Sequence, residues 1–216
     1  MSSVERHALV WLTNAGWSAA IAAARPEHQA ALTQWQRQDW PAVARRLDAD
    51  VAPDEVCLGL PLPPDANGIK VRIPLRARSA HVVRTSDAIA LRSTLAAAGI
   101  WSERLMALCD AAPGLRAFGS LAMQTLTGLQ YLSSSSDIDV LFRPASRQQL
   151  ANGVALLSEH AAHLPLDGEI VFPGGAAVSW KEWQLATAHP AKVMVKELRA
   201  VRLAETASLL ATLEEQ

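Results

Sequence analysis

Two short stretches carry residue types whose spacing suits one kind of chemistry. Gly119-Ser120 stands between a short apolar run and a helical pattern, and sixteen residues later comes Asp137-Ile138-Asp139. Asp137 and Asp139 are two apart on a run with strand character, so their carboxylates share a face. Two like charges that close repel and call for a cation. Magnesium, with manganese as an alternative, takes oxygen ligands and keeps room for phosphate oxygens. At Gly119-Ser120, glycine lets a phosphate approach the backbone, while helix N-terminal N–H groups and the serine hydroxyl can hold it. An anion cradle beside metal-binding carboxylates is the equipment of phosphoryl or nucleotidyl transfer. Taken alone, Asp-x-Asp is more often a solvated strand face and Gly-Ser a turn. Their order, strand then Gly-Ser then helix then Asp-x-Asp strand, favours the chemical reading.

The elements that must position these residues are legible in the second half of the chain. Thr85-Ser86-Asp87 can cap a helix running to Gly99, and Ser102 another with Leu105, Leu108 and Cys109 on one face, ended by Pro113-Gly114. A short strand at Leu115–Phe118, a helix from Ser120 to Leu126 and a strand at Ile138–Phe142 then frame the motif. A helix at Ser146–His160 follows, then strands near Glu169–Phe172 and Ala176–Ser179, a helix at Trp180–Thr187, a strand at Val193–Lys196 and a helical end. Strands and helices interleave, which predicts an α/β or α+β fold with a mixed sheet flanked by helices. In the first half, Pro26–Leu47 has a helical pattern broken near Asp39-Trp40-Pro41, and Glu55–Leu60 and Ile69–Leu75 read as strands across a Pro61–Gly68 turn. Two lobes are expected, residues 1–84 and 85–216.

Composition narrows the function classes. The 216 residues are 50% hydrophobic and 19% charged, which describes a well-packed globule rather than a disordered chain. Twenty basic against twenty-one acidic side chains leave a net charge of −1, without the basic excess that long nucleic-acid contacts need. A nucleic-acid partner is therefore not expected, although a nucleotide substrate is compatible. Two cysteines without metal or redox spacing exclude a disulfide scaffold and a zinc ribbon. No signal-peptide pattern and no apolar run of membrane-spanning length occur, so a cytoplasmic location is expected.

The motif resembles that of the DNA-polymerase-β-like nucleotidyltransferase superfamily, in which a glycine–serine pair opens a helix and two strand aspartates bind magnesium. The longer strings FGSLAMQTLTGLQYLSSSSDIDVLF (Phe118–Phe142) and LDGEIVFPGGAAVSWKEW (Leu166–Trp183) resemble one branch, the malonate decarboxylase holo-acyl-carrier-protein synthases, or phosphoribosyl-dephospho-CoA transferases. Milder similarity runs through VMVKELRAVRL, WPAVARR and GLPLP. The resemblance implies transfer of a phosphoribosyl-dephospho-CoA group from its triphosphoribosyl-dephospho-CoA donor to a serine of the apo acyl carrier protein of malonate decarboxylase, releasing pyrophosphate. It implies that Asp137 and Asp139 hold magnesium and that Gly119 and Ser120 grip the donor phosphates.

The superfamily's third carboxylate lies on a later strand, where Asp167 and Glu169 both qualify. Gly168 reads as the end of a turn, which places Glu169 inside the strand, as general base for the incoming hydroxyl or as an extra metal ligand, with Asp167 in reserve. Lys196 resembles a family position and could neutralise the leaving pyrophosphate. His160 and His163 read as helix-terminal cations, and most of the seven tryptophans as core. Lys70, Arg72, Arg76, Arg78 and Arg84 form a basic strip with two readings, a charge-guarded sheet edge or a dock for an acidic carrier protein or the donor. Two rival functions remain open on these residues: adenylyl transfer from ATP to a small molecule or protein, and a non-catalytic module that binds an acidic partner.

Overall fold

The structure, a computed structural model, describes residues 4–188 and 191–215. The chain divides into two compact units: Met1–Ala88 with Leu126–Tyr131, and Ile89–Thr125 with Leu132–Gln216. In the first unit the elements run β1 (Leu9–Leu12), α1 (Asn14–Ala23), α2 (Pro26–Arg37), β2 (Ala42–Ala44), β3 (Glu55–Pro61), β4 (Arg72–Arg78) and β5 (Val82–Ser86). The strands form an antiparallel sheet in the order β4-β3-β2-β1-β5. Thr13 caps α1 by accepting from the Gly16 N–H at 3.0 Å, and Pro26 opens α2. Trp17, Ala20, Leu32 and Trp35 on the helices and Val10, Ala42 and Leu58 on the strands are buried. The Trp35 indole N–H donates to Pro41 O at 3.1 Å, and its ring meets Trp40 edge-on at 5.0 Å.

The second unit contains β6 (Ile89–Ala90), two 3-10 turns (Leu91–Ala97 and Gly99–Trp101), α3 (Ser102–Ala111), β7 (Arg116–Ala117), α4 (Gly119–Thr127), β8 (Ile138–Phe142), α5 (Arg147–Ala161), β9 (Leu166–Val171), β10 (Ala177–Ser179), α6 (Trp180–Ala188), β11 (Lys192–Lys196), β12 (Val201–Glu205) and α7 (Thr206–Leu210). Its seven strands lie in the order β12-β11-β10-β9-β8-β7-β6. Among the described strands only β8 and β9 run parallel, and α5 supplies the crossover that parallel neighbours require. Ser146 caps α5, accepting from the Gln149 N–H at 3.2 Å. One sheet face is apolar: Ala117, Ile138, Val140, Leu166, Ile170, Val178, Val193 and Val195 join Leu105, Leu108, Leu150, Leu157 and Trp183 in a single buried cluster. The polar residues of the motif occupy the other face.

The mixed α+β fold is as the interleaved pattern predicted, and β8 has the predicted limits, but four local expectations are overturned. No helix spans 85–99. The chain continues β5 to Ser86, pairs β6 with β7, and then makes 3-10 turns with Leu91 and Thr94 buried. The helical pattern breaks near Asp39 as expected, α2 ending at Arg37, but it does not resume toward Leu47, because Ala42–Ala44 is claimed as a central strand by β1 and β3. Val201–Glu205 is a strand, not a piece of a helical end. Gly168 does not end a turn; it lies within β9, paired with Val140, so the strand starts at Leu166. The Gly168 φ is +139°, and a Cβ there would stand 2.0 Å from Val140 O. Only glycine lets β8 and β9 close at this point.

The basic strip lies on sheet edges. Strands β4 and β5 are the two edges of the first sheet, and they carry Arg72, Arg76, Arg78 and Arg84. Arg84 stacks over the Trp11 ring at 3.9 Å. Arg76 donates from Nε to Asp48 Oδ2 at 3.0 Å and also pairs with Asp50. Arg45 donates to the same Asp48 carboxylate, NH2 to Oδ2 at 2.8 Å. The Arg45 hydrogen bonds, reinforced by Arg76, hold the Asp48 carboxyl well below the usual carboxylate range. A carboxylate stabilised in the folded state contributes stability that is full above its unfolded value of about 3.9 and is lost as pH falls below it. Asp48→Asn is expected to cost about 1–2 kcal/mol at neutral pH. Urea unfolding should show a constant gap from pH 7 to about 4 that narrows as pH is taken on toward about 2; a gap that does not narrow below about pH 4 would contradict this role for Asp48.

Candidate active site

The site grows from the β7–α4 junction. The Phe118 N–H donates to Asp139 O at 3.1 Å, which extends the β7–β8 pairing to the last residue before α4. Gly119 then turns the chain with φ +66°, and a Cβ on it would stand 1.9 Å from Asp139 Oδ2. The Asp139 carboxylate thus occupies the space a side chain would need, against the first residue of α4. A helix N-terminus favours negative charge there. Ser120, half-buried, is in the first turn of α4. Gly119, Ser120 and Asp139 therefore come together. Asp137 precedes β8 and is exposed, whereas Asp139 is half-buried within the strand.

Register places the remaining candidates. Across the parallel β8–β9 pair, Asp139 is opposite Asp167, and Leu141 is opposite Glu169. Asp167, held in reserve on sequence grounds, is thus the direct neighbour of Asp139. Glu169 is 5% exposed, and Lys196 Nζ donates to its Oε1 at 2.9 Å. Lys196 reaches it from β11 through the row Lys196, Ala177, Val171. Asp167 faces Lys181 Nζ at 3.8 Å. Glu169 and Lys196 are brought together as an ion pair, one row away from Asp139.

Two basic residues had escaped the sequence reading. Lys181, in the first turn of α6, is visible in sequence only as a lysine between two tryptophans. Arg116 is opposite Leu141 across β7–β8, which puts it on the face of Asp139. The signal was available: Arg116 lies three residues before Gly119, on the strand that leads into the cradle. Trp183 packs against Phe172 at 5.0 Å in the core, and Trp180 is likewise buried, so neither lines the polar face.

Among the described residues no group of three or more His, Cys, Asp or Glu side chains forms a ready metal cage. The nearby hard oxygen donors are Asp139 and, opposite it across β8–β9, Asp167, with the exposed Asp137 two residues before Asp139 in the chain. Two such carboxylates are compatible with magnesium, which takes one or two and fills its shell with phosphate oxygens and water.

Residues 5–88 match the Phosphoribosyl-dephospho-CoA transferase MdcG N-terminal domain, and residues 80–207 match the corresponding C-terminal domain. The chain belongs to the phosphoribosyl-dephospho-CoA transferase family. It is 38% identical over 205 residues to a phosphoribosyl-dephospho-CoA transferase of Xanthomonas campestris pv. campestris strain 8004, covering 92% of both chains. It is 37% identical over 212 residues to one of Xanthomonas euvesicatoria pv. vesicatoria, covering 94% of this chain and 95% of the relative. A relative from Bradyrhizobium diazoefficiens is 38% identical over 190 residues, 82% of this chain and 80% of that one. No solved structure matches. Membership makes the chain a transferase, and no helix among the described residues is long and apolar enough to cross a membrane.

The Gly119 contact yields a direct test. Gly119→Ala forces either a strained φ, costing about 1–2 kcal/mol, or displacement of the Asp139 carboxylate. The variant should unfold at only slightly lower urea yet lose transferase activity by about a hundredfold or more. Activity within a few-fold of wild type would show that the close approach is incidental.

Proposed function

We propose that this chain transfers a phosphoribosyl-dephospho-CoA group from triphosphoribosyl-dephospho-CoA to a serine hydroxyl of the apo acyl carrier protein of malonate decarboxylase. The family supports the transferase and the group transferred. The observation that carries the chemistry is the juxtaposition of Asp139, the Gly119-Ser120 helix start and Asp167 on one sheet face. The serine oxygen bonds to the donor's α-phosphorus, the bond between the α- and β-phosphates breaks, and pyrophosphate leaves.

In this reading Asp137 and Asp139 hold magnesium, which would lend positive charge to the phosphate oxygens during transfer. Backbone N–H groups at the start of α4, with Ser120, grip the donor phosphates. Arg116, sharing the face of Asp139, adds fixed positive charge to that end of the site. The register favours Asp167 over Glu169 as the third carboxylate and acceptor of the serine proton, because Asp167 is opposite Asp139. Glu169 then serves by holding the Lys196 ammonium at the edge of the site, where it meets the charge of the departing pyrophosphate. The cytoplasm, where acyl carrier proteins are modified, is the compartment this reading expects.

Mass spectrometry of apo carrier protein incubated with the chain, donor and magnesium tests the proposal. The carrier should gain the mass of one phosphoribosyl-dephospho-CoA group while pyrophosphate appears in equal amount. Chelation of magnesium should stop both, and magnesium or manganese should restore them. A gain of adenylate from ATP, or orthophosphate as the released product, would reject the mechanism.

A further inference from the structure

The polar face of the second sheet does not end at Lys196. Strand β12, the edge of the sheet, pairs with β11 so that Lys196 is opposite Val201, Met194 opposite Leu203 and Lys192 opposite Glu205. Cross-strand partners point the same way, so these six residues continue the face that carries Glu169. On the opposite face of the two strands Val193, Val195 and Ala204 are buried in the core. On this one, Met194, Val201 and Leu203 are 45%, 45% and 64% exposed. Three contiguous exposed apolar side chains, bordered by Lys192 and Lys196, are an uneconomical surface unless something covers them. Both lysines have acidic neighbours, Glu205 at 3.9 Å and Glu169 at 2.9 Å. The Lys192 pair is largely solvated and can be exchanged for another anion at little cost.

We infer that this ladder receives the diphosphate–pantetheine arm of the CoA-type donor, an inference that rests on the function proposed above. Size selects the occupant. Three half-exposed side chains offer far less than the about 800 Å2 per partner that a stable protein interface takes, but they suit a narrow arm of methyl and methylene groups. Charge comes from Lys192, whose exposed pair with Glu205 can be exchanged for the diphosphate, while Lys196 stays with Glu169. Continuity agrees as well. Strands β8 to β12 are four neighbours apart, about 19 Å at about 4.8 Å per step, a span the extended arm covers from a phosphoribosyl group held at Asp139. The arm's two amides can also pair with the outer backbone edge of β12, as an added strand would.

Equilibrium binding of dephospho-CoA and of ADP, the same nucleotide without the pantetheine, tests the assignment on the full chain. Leu203→Glu and Met194→Glu are exposed and outside the transfer machinery. Each should weaken dephospho-CoA about tenfold or more by removing apolar contact and adding a charge beside the diphosphate, whereas the neutral Leu203→Ser should weaken dephospho-CoA and leave ADP affinity unchanged. Should an acidic variant prove unstable, Leu203→Ser removes the apolar contact without adding charge. Equal affinities of wild type and variants for dephospho-CoA would overturn the inference. So would a rise confined to the Michaelis constant for carrier protein, which would give the ladder to the acceptor, or a change from dimer to monomer in sedimentation, which would give it to a second copy. Failure of wild type to modify carrier protein would reject the proposed function instead, and the binding comparison would still report on the ladder.

Discussion

The absence of a side chain at Gly119 is the constraint on which the proposed transfer centre depends. Asp139 Oδ2 lies 1.9 Å from where a Cβ would stand, so strand β8 can bring its carboxylate against the start of α4 only if that residue is glycine. The consequence is that a carboxylate lies against the first N–H groups of a helix, the groups to which we assign phosphate binding. In the proposed reading a magnesium ion held by the aspartates would reconcile them, offsetting the carboxylate charge. Gly168 has the matching role on the next strand, where a Cβ would meet Val140 O at 2.0 Å. It lets β9 close on β8 and puts Asp167 beside Asp139. Two glycines therefore set the spacing of the acidic row.

The first unit has a different electrostatic logic. Four of its arginines lie on edge strands, and several are engaged within the unit: Arg76 and Arg45 on Asp48, Arg84 on the Trp11 ring. The sequence strip from Lys70 to Arg84 contains no acid, yet folding brings Asp48 and Asp50 to it from the preceding loop. The unit also incorporates Leu126–Tyr131, the segment that lengthens the interval between Ser120 and Asp137. Tyr131 anchors that segment, its hydroxyl donating to Pro61 O at 2.8 Å, and burial pushes the phenol above its usual range. The long gap in the motif is thus filled by residues that pack with the first unit.

What could be read from residues alone followed from how local the signals are. Strand β8, with apolar residues alternating around Asp139, and α5, with its Ser146 cap, announce themselves within a few residues. Strand β12 alternates too, but it shows its large apolar residues, Val201 and Leu203, to solvent and only Ala204 to the core, the reverse of the usual pattern. Strand β2 is three residues long and exists because both neighbours pair with it. The stretch after Thr85 has helix-capping residues and alanines, but tertiary pairing of Ile89 with Ala117 wins over that propensity. The glycine–serine and Asp-x-Asp pairs were legible because their chemistry is contiguous in sequence. Arg116, the position of Asp167 opposite Asp139, and the Glu169–Lys196 pair were not, because strand register creates them.

The most direct measurement of the central claim is single-turnover transfer by an Asp139→Asn variant, with its thermal unfolding followed in parallel. Asparagine keeps the shape over Gly119 while removing the charge, so the fold should be unaffected. The expected result is an unfolding midpoint close to wild type and a transfer rate lower by about a hundredfold or more, the scale of losing several kcal/mol of charge stabilisation. A variant that folds normally and transfers at near the wild-type rate would contradict the account, since the row of carboxylates beside α4 would then not be where transfer occurs.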